Sequence, residues 1–128
     1  MAETLQHTEN KIQADMVSWF TNTYCLAFHN PRSLILSIPN GGERNEITAV
    51  ISKAKGEYTG ASDLLVIHLG VALFVEVKTP DLKKSVQKPA QILFQKHVEQ
   101  AGYKYHLVRS LLEFQVLIHT ISNGIATK

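Results

Sequence analysis

Apolar residues recur at helical spacing from residue 9 to about residue 27, at Ile12, Met16, Trp19, Phe20 and Tyr24, which predicts an amphipathic helix. Thr8 stands where an N-cap would. The helix should end before Asn30-Pro31, because proline disfavours α geometry in the residue that precedes it. Leu34 to Ile38 is a short apolar run between Pro31 and Pro39-Asn40-Gly41-Gly42, and reads as a strand entering a turn. Residues 46–55 suit a short helix that Gly56 and Gly60 would break.

Two runs rich in aliphatic and β-branched residues follow, Asp63 to His68 and Val71 to Lys78, separated only by Leu69-Gly70. That is the signature of a β-hairpin. Both faces of both strands are largely apolar, so the hairpin is expected in the middle of a sheet covered on each side. Thr79-Pro80-Asp81 ends the second strand. A helix fits from Val86 or Pro89 to Gln100, with Gly102 as its stop. Tyr103 to Val108 reads as a further strand, and Ser110 caps a last helix running to about Ile121. The expected fold is α/β, a mixed central sheet flanked by helices.

Composition narrows the picture. With 128 residues and 45% apolar content, the chain suits one compact domain and has enough apolar material for a core. Cys25 is the single cysteine, so neither an internal disulfide framework nor a cysteine-rich zinc site is available. Its place on a helical stripe suggests packing. The first residues carry no signal-peptide pattern, and no run approaches the roughly 18 apolar residues of a membrane span. The expectation is a soluble, intracellular protein. The six histidines lack metal-ligand spacing and read as structural or surface residues. Neither a Walker-type phosphate loop nor a G-x-S-x-G elbow is present.

The hairpin carries the candidate chemistry. If Leu69-Gly70 is a two-residue loop, His68 pairs with Val71, and counting back sets Asp63 opposite Glu76. Residues opposed in this way project to one face, with Cα atoms roughly 4.5–5.5 Å apart. Lys78, two residues beyond Glu76, shares that face. Like charges directly across a sheet are destabilising, and partial burial adds to the penalty. A hard cation held by carboxylates removes it. A Glu-x-Lys on a strand is usually just a surface pair. Asp63 in register and the small residues Gly60-Ala61-Ser62 before it shift the balance towards a site. Glu9, on the stripe of Ile12 and Met16, would point at the sheet and join the acids. It would equally serve the positive end of its helix dipole. Gln13, one turn on, shares its face.

The series Gly60-x-x-Asp63, Glu76-x-Lys78, and Gln91 opening a helix that ends at Gly102-Tyr103 resembles the PD-(D/E)XK nuclease superfamily. Within it, the chain looks like the virus-type replication-repair nuclease (VRR-NUC) family. Ile38-Pro39-Asn40-Gly41-Gly42, Thr59-Gly60-Ala61-Ser62-Asp63-Leu64, Val75-Glu76-Val77-Lys78 and Gln91-Ile92-Leu93-Phe94 carry the likeness, with Glu9 and Gln13 matching an acidic first helix. It covers Glu9 to about Leu112. Ser62 stands where the superfamily classically has proline.

The resemblance implies a restriction-endonuclease-like core and Mg²⁺- or Mn²⁺-dependent cleavage of DNA in a cytoplasmic setting, a bacterial cell or a phage-infected host. It further implies a homodimer acting on branched DNA, in the manner of a Holliday-junction resolvase. Asp63, Glu76, the Val77 carbonyl and Glu9 would hold the metal. Lys78 and Gln91 would complete the catalytic set with the two acids. A flap or single-strand nuclease of the same fold, or an inactive DNA-binding module, are the alternatives. With the candidate site residues set aside, the rest of the chain is more basic than the net charge of +2 suggests. Lys83, Lys84 and Lys88 cluster after the second hairpin strand, and with Arg44 they are candidates for phosphate contacts. They would also serve as an ordinary solvated surface.

Overall fold

The computed structural model describes residues 2–39, 50–51 and 53–126. In chain order these form α1 (Ala2–Tyr24), β1 (Leu34–Ser37), β2 (Leu64–His68), β3 (Val71–Val77), α2 (Pro89–Gln100), β4 (Lys104–Val108) and α3 (Leu111–Ala126). The sheet order is β1-β2-β3-β4, antiparallel through β3 and parallel between β3 and β4. A parallel pair needs a crossover, and α2 supplies it. The result is the expected α/β architecture with a mixed central sheet.

Strand alternation sorts the core into two layers. Leu64, Val66, Leu73, Val75 and Val77 face α1 and α3, where they meet Met16, Phe20, Phe114 and Ile118. Burying each such side chain contributes roughly 1.5–3 kcal/mol. Cys25 belongs to this cluster, as a packing residue would. The opposite face carries Phe74, which packs with Phe94 and Val98 of α2 and with Tyr105. The hairpin strands are indeed internal, but their second face is only partly covered: Ile67 remains 38% exposed. Among the described residues, α2 shields the β3–β4 side and leaves the outer part of β2 partly exposed.

The hairpin turn has the geometry its length demands. Leu69 and Gly70 both have positive φ, 50° and 81°, as a two-residue type I′ turn requires. His68 pairs with Val71 and Leu64 with Val75, so continuing the register by one residue sets Asp63 across from Glu76.

Two helices depart from expectation at their ends. α1 begins at Ala2 rather than after Thr8. Nothing in residues 2–8 breaks a helix, and Leu5 extends the Glu9–Ile12–Met16 stripe upstream by one turn. The last helix continues past Ile121 to Ala126, since Asn123-Gly124 does not stop a helix already packed through Phe114 and Ile118. Its start is as expected, with the Ser110 hydroxyl accepting from the Glu113 N–H at 3.1 Å. Of the helix suggested for residues 46–55, Val50, Ile51, Lys53 and Ala54 are helical; the remainder lies mostly outside the described residues.

Two glycines set the frame of the site. Gly102 (φ 94°) closes α2, with the Tyr103 N–H reaching back to the Val98 carbonyl at 3.1 Å. Gly60 (φ 83°) runs against the first turn of α2, where an added Cβ would lie 2.4 Å from the Ala90 carbonyl carbon. Only glycine allows that approach, and it brings the segment before Asp63 alongside the helix that carries Gln91.

Candidate active site

At the C-terminal end of β3 a cavity of about 530 Å³ is lined by Glu9, Asp63, Glu76, Lys78, Lys84, Ser85, Val86, Lys88 and Gln91, with Leu5 and Gln6 at its rim. Asp63 is fixed twice. Its carbonyl accepts the Ile38 N–H at 2.9 Å, continuing the β1–β2 edge. Its Oδ2 accepts the Val77 N–H at 2.7 Å. The Asp63 carboxylate is therefore locked onto the backbone between Glu76 and Lys78.

Glu76 is 2% exposed and Lys78 5%. The Glu76 Oε2 accepts from Gln91 Nε2 at 3.1 Å and lies 3.9 Å from Lys78 Nζ. Its other oxygen, Oε1, is buried without a hydrogen-bond partner. An unsatisfied buried acceptor is destabilising by about 1–3 kcal/mol, and natural structures rarely keep one without a use. Burial, reinforced by the adjacent Asp63 and only partly offset by Lys78, pushes the Glu76 carboxyl up to about 9. Gln91 is itself oriented, since its Oε1 accepts the Lys88 N–H at 2.8 Å at the start of α2.

Glu9 reaches the cavity from α1 and accepts the Ser85 hydroxyl at 3.4 Å. Burial raises its pKa above the usual carboxylate value, with Lys78 pulling the other way. Among the described residues, no group of three or more His, Cys, Asp and Glu side chains forms a ready-made metal cage. The resting arrangement is thus an Asp63–Glu76 pair with Glu9 in an outer position. Two carboxylates with water and phosphate oxygens suit Mg²⁺, which is seldom held by an all-protein cage. The orphan Glu76 Oε1 is the feature a cation would satisfy.

Of the basic candidates, Lys84 and Lys88 line the cavity, whereas Lys83 is exposed outside it. Arg44 lies outside the described residues. Two contributors were missed from sequence, Ser85 and Arg109. Arg109 Nη1 donates to the carbonyls of Thr79 and Ser85, both at 2.7 Å. Ser85 Oγ accepts the Thr79 N–H at 2.8 Å. The available signal was topological: Arg109 follows β4, which runs parallel to β3, so it emerges at the same end of the sheet as Lys78.

A paired acid and ammonium at the end of an apolar hairpin, in a mixed α/β sheet, define a carboxylate site suited to a hard cation and a phosphate. No family model and no curated protein matches the chain. Its fold does match solved structures. One, titled "VRR_NUC domain protein", superposes with a TM-score of 0.63 at 21% identity, over 91% of this chain and 86% of the other. A second, titled "VRR_NUC domain", gives 0.56 at 23% identity, over 88% and 95%. The chain has the fold of these VRR-NUC domains, the restriction-endonuclease-like architecture expected from its sequence.

Proposed function

We propose that the chain is a VRR-NUC family nuclease, a divalent-metal-dependent endodeoxyribonuclease that hydrolyses phosphodiester bonds in branched DNA. The observation that carries this reading is the unsatisfied Glu76 Oε1, buried beside Asp63 and Lys78 in one cavity. The shared fold supports it.

Asp63, Glu76 and the Val77 carbonyl would hold Mg²⁺ or Mn²⁺, with Glu9 completing the shell directly or through water. A bound cation of this kind acidifies water and polarises a phosphate. Lys78, buried against Glu76, offsets negative charge developing on the phosphate; such preorganised donors count most in a water-poor site. Gln91 keeps the Glu76 carboxylate turned into the cavity. Lys84 and Lys88 at the rim, with Lys83 and Arg44, contact backbone phosphates. One chain offers one such site, and symmetric cutting of a four-way junction needs two, so the active form is a homodimer of the Holliday-junction-resolvase kind. Among the described residues no helix is long and apolar enough to cross a membrane.

A panel of labelled four-way junctions, flaps, duplexes and single strands, each with Mg²⁺, Mn²⁺ or EDTA, tests the proposal. The expected result is metal-dependent cleavage that favours the junction. Asp63→Ala and Lys78→Ala should lose about a thousandfold in rate while melting as cooperatively as the wild type. Preference for flaps or single strands would move the substrate to the alternative nuclease reading. Full activity in Asp63→Ala would sink the catalytic assignment, and binding without any cleavage would leave a DNA-binding module.

A further inference from the structure

Residues 79–88 connect β3 to α2 in a form that β-sheet connectivity alone does not require. Arg109 clamps the Thr79 and Ser85 carbonyls with one nitrogen. Asp81 Oδ1 accepts the Lys83 and Lys84 N–H groups, each at 3.0 Å. The Ser85 N–H returns to the Asp81 carbonyl at 2.9 Å, closing a single helical turn. These bonds hold the loop in one shape through its backbone and leave its apolar side chains out of the core. Leu82 at the tip is 71% exposed and Val86, lining the cavity, is 50% exposed.

A lone exposed leucine is ordinary. Leu82 differs in being held out by a stiff turn, next to Lys83, in the loop whose Lys84, Ser85, Val86 and Lys88 line the cavity of the acid pair. Three ammonium groups oppose an apolar protein partner, since burying them there would carry a desolvation penalty. They suit a ligand that is anionic outside and aromatic inside. We infer that the 79–88 loop is a fixed wedge whose Leu82 tip packs against an unstacked nucleobase while its lysines hold the flanking phosphates. Apolar side chains inserted at base steps are an established way of holding distorted DNA, and a step already unpaired opens at the smallest penalty. The inference rests on the nuclease reading for the identity of its substrate. It adds the feature recognised: a branch point with an unpaired base next to the scissile phosphate.

The test uses the full chain and a three-way DNA branch carrying 2-aminopurine at the unpaired position, with Ca²⁺ replacing Mg²⁺ to prevent cutting. Wild-type protein should raise the 2-aminopurine emission as the base leaves its stack. Leu82→Ala should bind the DNA through its unchanged lysines without that rise, and Leu82→Phe should restore it. With Mg²⁺, Leu82→Ala should lose about tenfold in kcat/KM on the branch, the worth of one buried apolar side-chain contact, and little on single strands that have nothing to unstack. Its exposed position leaves the melting temperature unchanged. If Leu82→Ala keeps both the emission change and the branch preference, the wedge is overturned while the nuclease reading stands. If the wild type unstacks the base but never cuts, the nuclease reading fails and the wedge survives. A wild type that binds no DNA defeats both.

Discussion

His68 lies on β2 facing α1 and α3, and Glu76 lies on β3 facing α2; both are almost inaccessible, at 1% and 2%. Their surroundings could hardly differ more. His68 Nδ1 meets the Ser33 hydroxyl at 2.7 Å and its Nε2 meets the Ser122 hydroxyl at 2.8 Å. Phe20 and Tyr24 pack against the ring. Every polar atom of the imidazole is satisfied, and it ties β2 to α3 and to the segment before β1. Glu76 keeps one oxygen without a partner and a second carboxylate beside it. A buried polar group that is fully paired stabilises a fold, whereas one left half-paired costs stability, which a shared proton with Asp63 offsets in part and a bound cation would offset further. The contrast marks His68 as architecture and supports the proposed chemical role of Glu76.

Substitutions at the two positions should therefore act in opposite directions. His68→Leu strands the buried Ser33 hydroxyl and cuts the tie to Ser122, whose hydroxyl still donates to the Ile118 carbonyl; it should destabilise the protein by roughly 1–3 kcal/mol, measured by urea unfolding. Cleavage per folded molecule should be retained at low temperature. Glu76→Gln puts a permanently neutral side chain where burial and Asp63 already hold the carboxyl largely protonated, and should leave the metal-free protein as stable as the wild type to within about 1 kcal/mol, while cleavage is lost. A destabilised Glu76→Gln would put both residues in the same structural category and dissolve the contrast.

Gln91 stands between these extremes, since it lines the cavity and its amide donates to Glu76. Gln91→Ala should lower kcat about tenfold with little change in stability, and Gln91→Glu should not restore it, because a second acid would face Glu76. An unaltered kcat in Gln91→Ala would mean that Glu76 needs no orientation. The smallest effect concerns acid. Burial lowers the pKa of His68 below its ordinary value of 6.5, so the unfolded chain binds the extra proton first as pH falls. Stability attributable to this group is complete above about pH 6.5 and declines below it, towards the depressed folded value. His68→Asn should flatten the unfolding free energy between pH 7 and 5.

Much of this contrast was legible in the sequence. Alternation and the Leu69-Gly70 turn fix the hairpin register, and the register sets Asp63 across from Glu76 without any knowledge of the rest of the fold. His68 could be read only as one of six histidines without ligand spacing, because its partners Ser33 and Ser122 are distant in sequence and hydroxyls leave no periodic trace. Ser85 and Arg109 escaped for the same reason: their contacts are to backbone carbonyls and N–H groups of a loop, which side-chain pattern does not encode. The start of α1 was missed because residues 2–8 carry too few apolar positions to show a helical period. The partial exposure of Ile67 on β2 follows from tertiary packing, which an apolar run cannot report.

Thermal unfolding across a Mn²⁺ titration, in wild type, Glu76→Gln and His68→Asn, bears most directly on the assignment of Glu76 to a cation. Wild type and His68→Asn should gain about 5 °C at saturating metal, and Glu76→Gln should gain almost nothing. Equal gains in all three proteins, or none in the wild type at millimolar Mn²⁺, would contradict it.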